Sequence, residues 1–222
     1  MEVFLIILKR LKYNIQTIKE KDPAAKSSLQ ILMLYSGLHA VMLHRPAHWL
    51  YTHKRYFLAR LLSQVSRFFT NVEIHPGAKI GWGLFIDHGS SVVIGETAII
   101  GNDCTIYQGV TLGGTGKETG KRHPTLCDNV IVGCGAKVLG PFTVGSNSKI
   151  ASGAVVLEEV PENSTAVGVP AKIVRINGKK IYASNKSLDH IHIPNPVQSQ
   201  IQDLSDRISN LENILKNKNT SE

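Results

Sequence analysis

The sequence is poor in the residues that build disulfide frameworks and membrane spans. Its 222 residues include only three cysteines, Cys104, Cys127 and Cys134, and this odd number without paired spacing argues against both disulfides and a zinc site. No stretch approaches the roughly 18 consecutive apolar residues of a transmembrane helix. The N-terminal apolar run is short, precedes its basic residues and lacks a small-residue cleavage site, so it indicates a helix rather than a signal peptide. We therefore expect a cytoplasmic protein with reduced cysteines and no metal ion.

Acidic residues are scarce in the first third of the chain. Residues 1–72 contain 11 Lys/Arg and 3 Asp/Glu, whereas the remaining residues contain 14 of each. A basic helical region can bind nucleic acid or an anionic surface. Here the charges are scattered and follow no recognition motif, for example at Lys9, Arg10, Lys19, Lys54, Arg55, Arg60 and Arg67. This pattern favours solvated helix faces, without a nucleic-acid or membrane partner.

Glycine is also nearly absent from this first third of the chain, where the apolar pattern is helical. Of 19 glycines, 17 lie between Gly77 and Gly168. An apolar stripe with steps of three and four residues predicts an amphipathic helix through Phe4, Leu8, Leu11, Ile15 and Ile18. Asp22-Pro23 ends this helix, Ser27 to Gln30 has the capping-box pattern of a second one, and Pro46 is expected to open a third.

From residue 74 onward the aliphatic period becomes six. This spacing is neither helical nor a simple alternation, and it is the hexapeptide repeat of a parallel β-helix. The phase slips by two residues once and is interrupted once. The aliphatic positions are Ile74, Ile80, Ile86 and Val92; then Ile94, Ile100, Ile106 and Leu112; then Leu126, Val132, Val138, Val144, Ile150 and Val156.

These patterns divide the chain into three parts. Residues 1–72 form an α-helical region, and residues 73–176 form the β-helix domain. Residues 113–125 are polar, contain four glycines and keep the repeat in phase on both sides, so they are expected to be extruded as a functional loop. The tail, 177–222, carries an amphipathic helix at about 197–216. The predicted fold class is therefore α+β, with N-terminal helices, a β-helix and a C-terminal helix.

Several motifs of the β-helix region resemble those of the serine acetyltransferases. They are Ile74-His-Pro-Gly-Ala-Lys-Ile-Gly81, Phe85-Ile-Asp-His-Gly89, Val93-Ile-Gly-Glu-Thr97, Gly109-Val-Thr-Leu-Gly-Gly-Thr-Gly116, Lys121-Arg-His-Pro124, Gly135-Ala-Lys-Val-Leu-Gly140 and Gly168-Val-Pro-Ala-Lys172. The hexapeptides alone indicate the wider acyltransferase superfamily, whereas Asp-His at 87–88 combined with Arg-His-Pro at 122–124 is more specific. The resemblance implies transfer of acetyl from acetyl-CoA to L-serine in cysteine biosynthesis. It further implies a left-handed coil and a homotrimer with active sites between adjacent prisms, and it leaves open whether trimers pair into hexamers.

The resemblance assigns the catalytic pair to His88 and Glu73. A serine hydroxyl is a weak nucleophile, so a base must remove its proton as it attacks the thioester. His88 follows the inward-facing Ile86 by two positions, where a side chain can reach a groove. An imidazole base needs an acidic partner. In the family this partner is an aspartate directly before Ile-His-Pro, and here the residue is Glu73.

The resemblance also assigns the residues that bind the two substrates. Asp22 and Asp87 would hold the serine ammonium, while Arg122 and His123 would hold the carboxylate, for which a planar guanidinium is well shaped. Asp22 can alternatively be a turn residue before Pro23. The positions that match the acetyl-CoA groove, along which the pantetheine arm would lie, are Gly114, Thr115, Cys134, Ser152 and Lys172.

Regulation and partners are expected from the family alone. Cysteine resembles serine and is expected to inhibit at the same pocket. Many relatives bind O-acetylserine sulfhydrylase through a C-terminal isoleucine; this chain ends in Asn219-Thr-Ser-Glu222, and that docking is not expected.

Three alternatives stay open at the level of sequence. One is an acyltransferase of the same fold that acts on a sugar or antibiotic hydroxyl, since one fold hosts many functions. Another is a γ-type carbonic anhydrase with His75, His88 and His123 as zinc ligands. The third is a scaffold without catalytic activity, against which the presence of His88, Glu73 and Arg122 argues.

Overall fold

The N-terminal region consists of four helices. In the computed structural model, residues 2–116, 119–181, 201 and 203–211 are described. The helices are α1 (Glu2–Lys21), α2 (Ser28–Leu34), α3 (Ser36–Thr52) and α4 (Tyr56–Thr70). Among the described residues, no helix combines the length and apolar character needed to cross a bilayer.

The first helix boundaries follow from the local sequence. Helix α1 ends directly before Asp22, whose Oδ1 accepts from the Ala24 amide at 2.8 Å and so forms the turn. Ser27 caps α2, since its hydroxyl accepts from the Gln30 amide at 3.1 Å. The return contact of the capping box is shifted by one residue, because Gln30 accepts from the Lys26 amide.

The expectation that Pro46 opens a helix is wrong. Pro46 lies inside α3, where its missing amide hydrogen removes one helical hydrogen bond. Tertiary contacts offset this cost, because the neighbouring Arg45 donates to the carbonyls of Ile80 and Gly81 at 2.9 and 2.8 Å. The chain instead breaks at Lys54, which has a left-handed φ of 62°.

The remainder of the described chain is built from short strands. They are β1 (Val72–Ile74), β2 (Lys79–Ile80), β3 (Phe85–Asp87), β4 (Val92–Ile94), β5 (Ile99–Ile100), β6 (Thr105–Tyr107), β7 (Thr111–Gly113), β8 (Thr125–Leu126), β9 (Ile131–Val132), β10 (Lys137–Leu139), β11 (Thr143–Val144), β12 (Lys149–Ile150), β13 (Val155–Val156), β14 (Ser164–Gly168), β15 (Ala171–Ile176) and β16 (Lys179–Lys180).

These strands form the predicted parallel β-helix. Every third strand stacks on the one before it, which gives three sheets with the orders β1-β4-β7-β10-β13, β2-β5-β8-β11 and β3-β6-β9-β12, the last continued by β14. Strands β15 and β16 extend the third sheet in antiparallel fashion. All fourteen aliphatic positions of the hexapeptide pattern are buried in one core, none more than 7% exposed. The predicted fold class is thereby confirmed, with about five turns of coil.

The phase slip in the repeat marks a longer corner. Ile74 is stacked below Ile94 and Ile94 below Leu112, and the first of these turns is longer than the second by two residues. The two additional residues lie between β3 and β4, in the segment 88–91. His88 and Ser91 in this corner both have left-handed backbone conformations, with φ of 53° and 60°. The slip therefore projects a corner outward at the position of the predicted base.

A second enlargement is the predicted loop. Leu112 is stacked below Val138, and the turn between them is longer still because it accommodates an insertion. Within it, Lys117 and Glu118 lie outside the described residues. The expected helix at about 197–216 is described only at 201 and 203–211, which are helical, with Ile201, Leu204, Ile208 and Leu211 exposed. The remainder of the tail, including its C-terminal end, also lies outside the described residues.

Helix α3 packs closely on the β-helix. A Cβ on Gly37 would lie 2.1 Å from the carbonyl oxygen of Ile86, so only glycine permits this approach. His44 is buried at the same interface and donates its Nε2 hydrogen to the Ala78 carbonyl at 3.2 Å. Burial lowers the pKa of His44 to about 3, so the ring is neutral at physiological pH. The helical region is thus fixed on the strand that leads to Asp87 and His88.

Helix α4 exposes its large apolar side chains. Its buried face consists of small residues, Ala59, Ser63, Ser66 and Thr70. Its exposed face carries Phe57, Leu58, Leu61, Val65, Phe68 and Phe69, with Phe68 83% exposed. Such a patch on one chain is typical of a surface that another protein covers.

Candidate active site

His88 stands at a corner of the prism with its imidazole open to solvent. Its side chain is 78% exposed, and its Nε2 lies 3.7 Å from Oδ1 of Asp87. The carbonyl of His88 accepts from the Ser90 amide, which closes the corner. The left-handed backbone of a non-glycine residue is costly and persists only where its surroundings hold it. This geometry presents the ring outward, where it is free to meet a substrate.

Two carboxylates lie beside this corner. Asp87 ends β3, and Asp22 lies in the turn after α1, where its Oδ2 accepts from the Tyr35 hydroxyl at 2.5 Å. Burial raises the pKa of Asp87, and the negative charge of Asp22 adds to this rise while His88 opposes it. Burial and the bond to Asp22 raise the pKa of Tyr35 to about 12. The structure thus brings together the predicted residues Asp22, Asp87 and His88.

Glu73 is not joined to His88 in this chain. It is the central residue of β1, and its carboxylate forms ion pairs with Arg67 at 3.0 Å and Arg60 at 3.7 Å. The carboxylate that lies beside His88 is Asp87. The corner that bears His88 is nevertheless adjacent to β1, because the Ser91 amide donates to the carbonyl of Asn71 at 3.0 Å. The predicted pair of His88 and Glu73 is therefore not directly bonded, although the two chain segments that carry it are joined by this backbone hydrogen bond.

Arg122 is held by an acid that was not singled out from the sequence. Its Nη2 donates to Oε2 of Glu96 at 2.5 Å, and the Tyr51 hydroxyl donates to Oε1 of the same carboxylate at 2.7 Å. The bond from Tyr51 is the main cause that lowers the pKa of Glu96, so this group stays ionised at neutral pH. In turn, Glu96 raises the pKa of Tyr51 to about 12. A network from helix α3 thus orients the guanidinium.

His123 is fixed as one tautomer. The amide of Thr97 donates to its Nδ1 at 3.1 Å, so in the neutral ring the hydrogen resides on Nε2. Burial is the largest cause that lowers the pKa of His123, and the charge of Arg122 lowers it further. A Cβ on Gly95 would lie 2.0 Å from the His123 ring, so the ring occupies space that only glycine leaves free. His123 is therefore a neutral hydrogen-bond donor beside Arg122.

The sequence contained a local signal for the position of Glu96 but none for the contacts of Tyr35 and Tyr51. Glu96 belongs to the quoted motif 93–97 and follows the buried Ile94, so its placement at a corner was readable. The tyrosines belong to the helical region, and nothing local connects them to residues far along the chain. Their contacts depend on how the helices dock.

The residues around His88 and those around Arg122 lie at the two opposite edges of the five-stranded sheet. The first edge, where the chain enters this sheet, is marked by Asn71, Ser90, Gln108 and Cys134, whose carbonyls each accept from the next turn. The second edge, where the chain leaves it, is marked by His75, Gly95 and Gly113. His88 is at the first edge, and Arg122 follows the loop that leaves the second.

The predicted acetyl-CoA positions are divided between these edges. Cys134 and Ser152 lie on consecutive turns of the first edge, where the Gly153 amide donates to the Cys134 carbonyl at 2.8 Å. Gly114 lies at the second edge, and a Cβ on it would be 3.0 Å from the carbonyl of Arg122. Thr115 follows it and is exposed. Lys172 lies on β15 and forms an ion pair with Glu158 at 3.3 Å.

This arrangement offers a base with two acids at one edge. At the other edge it offers an arginine that is paired with Glu96 and lies beside a neutral donor. Within the described residues, no group of three or more His, Cys, Asp or Glu side chains is arranged to hold a metal ion. The three cysteines are free.

Comparison with known proteins agrees with this interpretation. The family model "Bacterial transferase hexapeptide (six repeats)" matches residues 123–158. The serine acetyltransferase of Bacillus subtilis is 54% identical over 213 residues, which covers 96% of this chain and 97% of that protein. The serine acetyltransferase of Bacillus licheniformis is 53% identical over the same length and shares of the two chains.

Solved structures give the same likeness. The serine acetyltransferase of Neisseria gonorrhoeae in complex with serine has a TM-score of 0.74 at 43% identity, covering 77% of this chain and 70% of that one. The enzyme of Brucella abortus in complex with coenzyme A has a TM-score of 0.72 at 46% identity, covering 74% and 66%. A serine acetyltransferase in complex with cysteine has a TM-score of 0.76 at 43% identity, covering 79% and 68%. On these likenesses and the motifs above, this chain belongs to the serine acetyltransferase family.

Proposed function

We propose that this chain is a serine O-acetyltransferase, which transfers the acetyl group of acetyl-CoA to L-serine and yields O-acetyl-L-serine and CoA. This is the first step of cysteine biosynthesis from serine. The named activity of the two Bacillus relatives, 53% and 54% identical over 96% of the chain, supports the proposal.

The observation that carries the proposal is the placement of two acids at one edge and of a guanidinium, oriented by Glu96, at the other. Free serine has an ammonium and a carboxylate on one carbon, so its site needs acids and a cation that converge. Asp22 and Asp87 supply the acids, and Arg122 with the neutral donor His123 supplies the other half. A sugar acceptor has neither charge and would form no charge-assisted hydrogen bonds with these groups.

His88 acts as the base in this scheme. Its imidazole removes the proton of the serine hydroxyl as the oxygen attacks the thioester carbon of acetyl-CoA. The tetrahedral intermediate collapses with cleavage of the carbon–sulfur bond, and the imidazolium returns the proton to the departing CoA sulfur. Glu73 stabilises the imidazolium and fixes its orientation, and no acyl-enzyme is required.

Acetyl-CoA is the co-substrate, and its pantetheine arm would lie along the first edge. The small residues Cys134 and Ser152 at this edge allow close approach, and the same edge leads to His88. Gly114 and Thr115 would contact the arm from the second edge of a neighbouring chain, and Lys172 would approach the phosphates. The coenzyme A complex of the Brucella abortus enzyme supports this co-substrate.

Assembly into a homotrimer would complete the site. In one chain His88 and Arg122 stand at different edges of one sheet, so a cleft between adjacent chains can combine one edge from each. The exposed apolar face of α4 provides a surface that association would cover. Pairing of trimers into hexamers is a further state of this assembly that the helical region would mediate.

Cysteine is proposed to inhibit by occupying the serine pocket, since it differs from serine by one atom. The cysteine complex of a structural relative supports this. The cytoplasmic location stays a prediction from the sequence, and so does the expectation that the chain does not dock to the sulfhydrylase.

The reaction is tested by incubating the purified protein with acetyl-CoA and L-serine. Serine-dependent release of CoA, with O-acetyl-L-serine identified by mass, is the expected result. Stoichiometric zinc in the protein without thioester turnover would contradict the proposal and favour the carbonic anhydrase alternative.

Replacing Tyr51 by phenylalanine should weaken serine binding. The change removes the hydrogen bond to Glu96 and loosens the network that orients Arg122. We expect a rise in the serine KM of about three- to tenfold. A hydrogen bond to a charged group is worth about 1.5–3 kcal/mol, and only part of this is transmitted because the bond orients Arg122 and does not contact serine. Steady-state kinetics at saturating acetyl-CoA measures this. Tyr13→Phe is the matched control, because Tyr13 donates to Asp103, away from both edges, and an equal effect of both changes would contradict the role of Tyr51.

A further inference from the structure

Glu73 is held between two arginines of one helix. Arg67 Nη1 lies 3.0 Å from its Oε2, and Arg60 Nη2 lies 3.7 Å from its Oε1. Both arginines belong to α4, which passes through the left-handed Asn71 directly into β1. The same short segment of chain thus supplies the carboxylate and the two cations that fix it.

We propose that Arg67, assisted by Arg60, is a positioning residue that holds the Glu73 carboxylate in place as the acidic partner of His88. This inference rests on the proposed function. It also gives a physical reason why a glutamate can stand where the family has an aspartate.

The place of Glu73 suits this role. The first edge joins its strand to the corner that bears His88, through the bond from the Ser91 amide to the Asn71 carbonyl. A Cβ on Gly89 would lie 2.6 Å from Cγ2 of Val72, the residue directly before Glu73. The closer arginine contact engages Oε2, whereas the 3.7 Å contact with Arg60 leaves Oε1 able to accept a hydrogen bond from an imidazole.

A glutamate needs such support more than an aspartate does. Its additional methylene adds a rotatable bond, and fixing a flexible side chain costs up to about 1.5–2 kcal/mol of conformational entropy. A mobile carboxylate is a poor partner for the imidazole, because displacement of a catalytic group by about 1 Å can reduce turnover about a hundredfold. The ion pair with Arg67 restricts this motion.

The two ion pairs of Glu73 should contribute little to the free energy of unfolding. The side chains of Arg67 and Arg60 are 54% and 42% exposed, and ion pairs of this kind are worth less than about 1 kcal/mol. A loss of activity without a loss of stability is therefore the expected signature of positioning.

The variant Arg67→Met tests the proposal. We expect kcat to fall about tenfold with both KM values within about twofold, because the reacting base is affected and the substrate contacts are not. The melting temperature should stay near that of the wild type, and Arg67→Lys should restore most of kcat. Arg55→Met is the matched control, since Arg55 is exposed at the start of the same helix, and it should leave kcat unchanged.

A double-mutant cycle with Glu73→Gln separates positioning from a general effect. If Arg67 acts through Glu73, the double variant is no slower than Glu73→Gln alone. Multiplied losses in the double variant, or an unchanged kcat in Arg67→Met, would overturn the inference while leaving the proposed function intact. A wild-type protein without serine-dependent CoA release would instead overturn the proposed function, and this inference with it.

Discussion

Replacing His88 by alanine is expected to lower kcat by about 100- to 10,000-fold, the range that general-base catalysis contributes. The serine KM should change far less, because the proposed contacts with the ammonium and carboxylate come from other residues. Since the imidazole is 78% exposed in the chain, the truncated site leaves room for a small molecule. Added imidazole should therefore restore part of the activity of the variant.

The matched control is His53→Ala. His53 is exposed at the end of α3, where its Nδ1 contacts the Trp49 carbonyl, and it is not among the residues around His88 or Arg122. It should keep wild-type kinetics. Near-normal turnover by the His88 variant would refute the assignment of the base, and Asp22 or Asp87 would then have to be considered for that role.

Replacing Arg122 by alanine is expected to impair the use of serine specifically. Loss of a charge-assisted hydrogen bond costs about 1.5–3 kcal/mol, which corresponds to a rise of about 10- to 100-fold in the serine KM. The KM for acetyl-CoA should stay within about twofold. Lysine at this position should restore only part of the affinity, since it lacks the planar fork that engages a carboxylate with two donors.

An acceptor that lacks the serine carboxylate tests the role of Arg122 more specifically. Serinol keeps the ammonium and the hydroxyl of serine, so Arg122→Ala and wild type should use it with similar kcat/KM. Arg175→Ala, at an exposed position of β15, controls for the loss of positive charge. An unchanged serine KM, or equal losses with serine and serinol, would contradict the role of Arg122 as the carboxylate ligand.

The β-helix was predictable because each hexapeptide repeat places an aliphatic residue in the core. Ile86, Ile106 and Val132 each point into the same prism, and a polar residue there would be buried without a partner. The two-residue slip was visible in the sequence between Val92 and Ile94. The structure places the two additional residues before β4, in the corner of His88, because Ile94 stacks on Ile74 and Ile106 stacks on Ile86.

The contacts that orient the site were harder to predict. Tyr51 reaches Glu96 and Tyr35 reaches Asp22 only because helices dock on the prism in one orientation. No local pattern specifies such long-range pairs. Pro46 is the converse case, since the local rule predicted a helix start and tertiary contacts of Arg45 prevailed over it.

The partner of His88 shows the limit of transferring a family role to one chain. Sequence position gives Glu73 the place of the family aspartate. The structure adds that its carboxylate is engaged by Arg67 and Arg60, and that Asp87 is the acid closest to the imidazole. The kinetics of the Arg67 and Glu73 variants will show how far Glu73, and how far Asp87, supports the His88 imidazolium.

The central claim, that the acceptor is a small zwitterion with the dimensions of serine, is tested most directly by comparing acceptors with the wild-type protein. Steady-state release of CoA is measured with serine, homoserine and a neutral sugar at fixed acetyl-CoA. We predict that kcat/KM for serine exceeds that for homoserine by about 10- to 200-fold, the discrimination that one methylene provides, and that the sugar gives no release above background. A sugar used as well as serine, or better, would contradict the account.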